Sequence, residues 1–132
     1  MAENAKNSIL IVEDDPFLAG LAAEKIQSAG YDVSVASDAD AGMKVLEKKI
    51  PDLILLDILL PGINGFEFLK NIKKIERFKD IPVVIFSNLD QERDIAEGRR
   101  LGADDFLVKV KFTPDEVVRK IAEVLRKRGK MK

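Results

Sequence analysis

Leu53-Ile54-Leu55-Leu56 is an apolar run without alternation, preceded by Pro51 and closed by Asp57. A strand of this kind is buried on both faces, as in a parallel sheet covered by helices on each side. Pro61-Gly62 and Asn64-Gly65 are turn signals, so the strand ends near Asp57. A carboxylate directly after such a strand is costly unless it is solvated, paired or bound to metal. In an open α/β sheet, ligands bind beyond the carboxyl ends of the strands, where Asp57 would sit. Taken alone, Asp57 reads equally well as a capping or turn residue.

The rest of the chain repeats the pattern. Ser8 to Val12 is a short β-branched run followed at once by Glu13, Asp14 and Asp15. Asp15 and Pro16 suit the N-cap and first turn of a helix, and Gly30 suits its stop. Phe17, Leu18, Leu21, Ala22 and Ile26 are spaced as the inward face of that helix. Tyr31, Val33 and Val35 alternate as a second strand. Ser37 or Asp38 caps a helix to about Lys48, and another runs from Gly65 to about Ile75. Pro82 to Phe86 is a buried strand ending at Ser87. A polar helix covers Gln91 to Arg100, and Ala103 to Val108 is a strand ending at Lys109. Thr113, Pro114 and Glu116 open a last helix with a near capping box. Five strands alternating with five helices predict an α/β fold, a doubly wound five-stranded parallel sheet.

Composition narrows the function. The 132 residues fit one domain. We expect residues 1–7 to be a disordered N-terminus, 8–128 the folded domain and 129–132 a basic tail. The chain has no Cys and no His, which excludes thiolate metal sites, a thiol nucleophile, a Ser-His-Asp triad and a phosphohistidine relay. A net charge of −1 gives no bulk drive toward nucleic acid. No apolar run approaches the roughly 18 residues of a membrane span, and residues 1–8 carry no signal-peptide pattern. The expected setting is cytoplasmic, without membrane insertion.

Four strand ends present polar groups to one sheet edge: Glu13 and Asp14, Asp57, Ser87, and Lys109. Carboxylates about 4 Å apart repel by roughly 4 kcal/mol per pair at an effective dielectric near 20. A hard divalent cation relieves that repulsion, and oxygen-only ligands favour Mg²⁺ or Mn²⁺ over zinc.

At this point the sequence resembles a known family, the receiver domains of bacterial two-component response regulators, over about residues 8–128. The resemblance rests on LIVEDDP at 10–16, LLDILLPGINGFEFL at 55–69, VVIFSN at 83–88 and GADDFLVK at 102–109. It implies a flavodoxin-like fold with strand order 2-1-3-4-5. It implies Asp57 as phosphoacceptor and Mg²⁺ held by Asp14, Asp57 and the Leu59 backbone carbonyl, with Glu13 acting through water. Ser87 and Lys109 would bind the phosphoryl oxygens. The hydroxyl of Ser87 would then move, and the aromatic at Phe106 would rotate inward after it. A stand-alone, chemotaxis-type switch is expected rather than an enzyme. It would take phosphate from a sensor histidine kinase or histidine phosphotransfer protein and signal to an unnamed downstream protein. It would act as a monomer or phosphorylation-dependent dimer.

Several residues have plainer readings. Asp15 reads as an N-cap, Asp104 and Asp105 shape the turn before the fifth strand, and Arg126, Lys127 and Arg128 match the dipole of the last helix. No direct nucleic-acid site is recognisable there. Val110 stands where the family has a proline, leaving the 109–110 bond open to cis or trans; a trans bond would shift Lys109. Asn88 replaces a small residue. Leu59 and Leu89 flank the site with apolar groups that cannot orient a water, so a long-lived acyl phosphate is expected. The competing function is an Mg²⁺-dependent phosphatase or phosphotransferase with an Asp nucleophile. Against it, Leu59 leaves no general acid two residues beyond Asp57.

Overall fold

The computed structural model describes residues 5–132. Its strands are β1 (Ser8–Val12), β2 (Asp32–Ala36), β3 (Leu53–Leu56), β4 (Val83–Ser87) and β5 (Asp105–Val108). They alternate with α1 (Pro16–Ser28), α2 (Ala39–Lys48), α3 (Gly65–Lys73), α4 (Glu92–Arg100) and α5 (Pro114–Lys127), with a short 3₁₀ turn at Lys109–Lys111. All pairings are parallel and the order is β2-β1-β3-β4-β5.

The unalternating runs are buried because each central strand faces a core on both sides. Leu10, Val12, Ile54, Leu56 and Ile85 pack with Leu46, Phe68, Leu69 and Ile72 of α2 and α3. Ile9, Ile11, Leu55, Val84 and Leu107 pack with Ile26 of α1 and Val117, Ile121 and Leu125 of α5. The helix starts follow the capping chemistry. Asp15 Oδ1 accepts from the backbone N–H groups of Phe17 and Leu18, Asp38 from Ala41 and Asn64 from Glu67. Thr113 and Glu116 close a complete capping box.

Four details differ from the sequence expectations. On α1 the buried side chains are Ala19 and Ile26, while Phe17, Leu18 and Leu21 are exposed. Helical spacing gives a stripe but not which part of it a neighbour covers, and of this stripe only Ile26, with Ala19 beside it, is fully inside. Asn7 is not frayed. It is buried, donates to the Lys130 carbonyl and accepts from the Lys132 backbone N–H. Residues 1–4 of the expected disordered segment lie outside the described residues. Gly129, at φ +69°, turns the tail back toward Asn7. Arg128 does more than complement a dipole: it pairs with Asp104 and donates to the Asp80 carbonyl.

Candidate functional site

The strand order sets β1 and β3 side by side, so the residues after them share one edge. The Asp57 backbone N–H donates to the Val12 carbonyl, and that of Glu13 to the Ala36 carbonyl. Ligand atoms of Glu13, Asp14 and Asp57 lie within 4.8 Å of one another. Glu13 and Asp57 are buried and Asp14 is exposed. Asp57 is held from below by its strand and from behind by Leu59, whose N–H donates to Asp57 Oδ1 at 3.2 Å.

Lys109 enters from the end of β5. Its ammonium donates to Asp57 Oδ2 at 2.9 Å and also to Glu13 Oε1. Among the described residues no peptide bond is cis, so the Lys109–Val110 bond is trans, and Lys109 still reaches both carboxylates. Burial raises the Glu13 carboxyl above its usual range, against the pull of the Lys109 and Asp15 hydrogen bonds. Burial pulls Lys109 down, but its bonds to Glu13 and Asp57 outweigh this and the net shift is upward. Glu13 and Asp57 share one ammonium while the Asp14 carboxylate stands beside them, and hard oxygen donors in that number suit a divalent cation such as Mg²⁺.

Ser87, the last residue of β4, is fully buried. Its Oγ accepts the Leu89 backbone N–H at 3.5 Å, which links it to the segment leading into α4. Phe106 is also buried, at 7% exposure, with its ring inward against α4.

Sequence reasoning missed two features here. Gly65 is read from sequence as a turn residue, yet an added Cβ would stand 2.6 Å from the Ile58 Cα, so Gly65 lets α3 start against the chain leaving Asp57. The second is a groove of about 310 Å³ between α1 and the start of α5, reaching Asp57, Glu13 and Lys109. Leu18, Leu21 and Val110 stand on its rim, and Ile11, Leu55 and Phe86 line it further in. In the sequence Leu18, Leu21 and Ala22 show only as an apolar stripe on α1, with nothing to say that a groove lies along it.

An acidic cleft with one lysine and one buried hydroxyl, at the carboxyl edge of a 2-1-3-4-5 sheet, defines the class: a phosphoacceptor domain of signalling proteins. The sequence matches the response regulator receiver domain over residues 9–122, and the chain belongs to that family. It is 38% identical over 119 residues to the DNA-binding dual master transcriptional regulator RpaA of Synechocystis, covering 90% of this chain and 49% of that protein. The chain thus spans about half the length of the curated relatives it matches. Among solved structures it resembles chemotaxis protein CheY4 of Vibrio cholerae, with TM-score 0.86, 28% identity and coverage of 92% and 100% of the two chains. It also resembles the BeF3-activated N-terminal receiver domain of Klebsiella pneumoniae RstA, with TM-score 0.83, 30% identity and coverage of 91% and 99%. The domain is a phosphorylation-activated signalling switch of a two-component system. Receiver domains bind Mg²⁺ at an acidic pocket and take phosphoryl groups from histidine kinases. No helix among the described residues is long and apolar enough to cross a membrane.

Proposed function

We propose that Asp57 is the phosphoacceptor. The observation that carries this is the convergence on one buried carboxylate of Lys109, the Leu59 N–H and two further acids. The Asp57 carboxylate attacks phosphorus, the donor's P–N or P–O bond breaks, and an acyl phosphate forms. Asp14, Asp57 and the Leu59 carbonyl would hold Mg²⁺, with Glu13 acting through water. The ion would neutralise charge on the phosphoryl oxygens. Lys109 then moves its hydrogen bond from the carboxylate to a phosphoryl oxygen, and the Ser87 hydroxyl donates to another. Val110 and Leu59 are exposed beside the site, and Phe17, Leu18 and Leu21 on α1 extend the apolar surface. A phosphodonor histidine kinase or phosphotransfer protein would dock there by burying that surface. The domain would turn over no separate substrate, act in the cytoplasm, and pass its signal to a downstream protein as a monomer or phosphorylation-dependent dimer.

Acetyl phosphate with Mg²⁺ should add one phosphoryl mass to the intact protein, and Asp57→Asn should abolish the adduct. An adduct that survives in Asp57→Asn would assign the acceptor elsewhere.

A further inference from the structure

Five asparagines stand in the chain, at 4, 7, 64, 71 and 88, and only Asn64 precedes a glycine. That step carries its own chemistry. The backbone nitrogen of the following residue can attack the asparagine carboxamide carbon and close a five-membered imide. A side chain on that residue hinders the attack, and glycine has none. Asn71 and Asn88 are followed by Ile72 and Leu89, whose side chains stand in the way. Asn64 is exposed, so water reaches its carboxamide.

In the folded domain three hydrogen bonds hold the step shut. The Gly65 N–H donates to the Ile58 carbonyl at 2.8 Å. The Asn64 side-chain oxygen accepts the Glu67 N–H at 3.1 Å, and its backbone carbonyl accepts the Phe68 N–H, also at 3.1 Å. Closing the ring requires rotation about the Asn64 Cα–C bond, away from its extended ψ of 168°. That rotation carries the Asn64 carbonyl and the Gly65 nitrogen off their partners together. Gly65 is also buried without room to shift: an added Cβ would stand 2.3 Å from the Asp57 carbonyl oxygen. The reaction therefore waits on local opening of the first turn of α3.

We propose that Asn64-Gly65 is a latent self-modification site, sealed by the first turn of α3 and released when that turn opens. The Gly65 nitrogen bonds to Asn64 Cγ, the Cγ–N bond of the carboxamide breaks, and ammonia leaves with the Gly65 proton. Water then opens the imide at either carbonyl. One product is aspartate, which keeps the backbone and the cap. The other is isoaspartate, whose chain runs through the former side chain and gains a methylene. That longer link cannot cap α3 and keep Gly65 against Asp57 and Ile58 at once, so it unseats the helix start beside the site. Resting on the reading of Asp57 as phosphoacceptor, it also slows phosphate uptake.

The test holds the whole protein at mildly alkaline pH, folded and in guanidinium chloride, and follows the change of amide to acid by peptide mass spectrometry. Unfolding should speed the change at Asn64 roughly tenfold or more. Equal rates folded and unfolded would refute the seal, and a change led by any other asparagine in the unfolded chain would refute the site. Asn64→Ser keeps a cap and should abolish the change in that peptide. The modified protein is then refolded and its isoaspartyl form separated. It should melt several degrees below Asn64→Asp, which has the same charge and an unaltered backbone, and should take phosphate from acetyl phosphate at least tenfold more slowly. An isoaspartyl form that melts and reacts like Asn64→Asp would refute the unseating. If neither wild type nor Asn64→Asp takes phosphate, the reading of Asp57 falls, and the melt alone decides the unseating.

Discussion

Replacing Lys109 by methionine tests the electrostatics of the site directly. The substitution keeps length and apolar volume and removes only the ammonium. Lys109, Glu13 and Asp57 side chains are 12%, 7% and 6% exposed, so solvent screens them little. At 2.9 Å and an effective dielectric near 20, the attraction to Asp57 alone is about 6 kcal/mol. Part of that is offset because the ammonium no longer has to be buried. Breaking a buried pair by removing one partner costs about 3–5 kcal/mol net, and we expect that loss at pH 7 in EDTA. The loss should depend on pH. Glu13 is raised in the folded state, so the folded form holds its proton more tightly than the unfolded one. Such a group favours folding at acid pH and loses that contribution as pH rises from about 4.5 through its folded value. Without Lys109 its folded value climbs further, so the deficit should shrink from pH 7 toward pH 5. Lys109 is also raised, so its contribution is full below its unfolded value near 10.4 and disappears as pH climbs through the folded value. The deficit should therefore vanish at strongly alkaline pH as well. Mg²⁺ at a hundred times its dissociation constant should restore about 2.7 kcal/mol to the variant. Urea unfolding at pH 5 and 7, with and without Mg²⁺, measures each quantity. A deficit under about 1 kcal/mol at pH 7, or one equal at both pH values, would show that the ammonium is not what compensates Glu13 and Asp57.

Three further outcomes are expected. Titration calorimetry should find Mg²⁺ binding weakened at least tenfold in Asp14→Ala and in Asp57→Ala, and unchanged affinity in both would move the metal site elsewhere. Phosphorylated protein should decay severalfold faster in Leu59→Asn or Leu89→Glu, because each supplies a group that can hold the attacking water; equal decay in both would mean the apolar flank does not set the lifetime. Gly65→Ala should cost about 1–3 kcal/mol or more in a thermal or urea melt, since the new methyl meets the Asp57 and Ile58 backbone rather than a movable side chain, and a near-neutral melt would show that the start of α3 can shift.

The sheet was legible because burial on both faces leaves a mark in the sequence: Leu53–Leu56 and Val83–Ile85 have no polar alternation. The site was legible because a charge directly after such a run is costly unless a partner, a metal or water compensates it. What the sequence hid depends on neighbours distant along the chain. Asp104 reads as a turn residue, yet it accepts the Val83 N–H and pairs with Arg128 from the end of α5. Lys109 reads as a phosphate ligand, and nothing local says that it also closes on Glu13. Phe17, Leu18 and Leu21 fit a core stripe, and only the folded structure shows that they stay exposed among the described residues. Gly98 sits in a polar helix, where a glycine reads as a weakness until the Phe106 ring beneath it is seen.

The clasp between Asn7 and the backbone of Lys130 and Lys132 brings distant parts of the chain to the same place. Along the backbone, the described chain is almost a closed ring. Joining residue 132 to residue 5 through a short flexible link and opening the ring at Lys49-Ile50, in the exposed connection between α2 and β3, would give a circular permutant with every strand pairing intact. That opening would detach β2 and α2 from the sequence that follows them but leave Glu13, Asp57, Ser87 and Lys109 on uncut strands. The permutant should therefore keep the phosphoacceptor chemistry while folding from a different first strand.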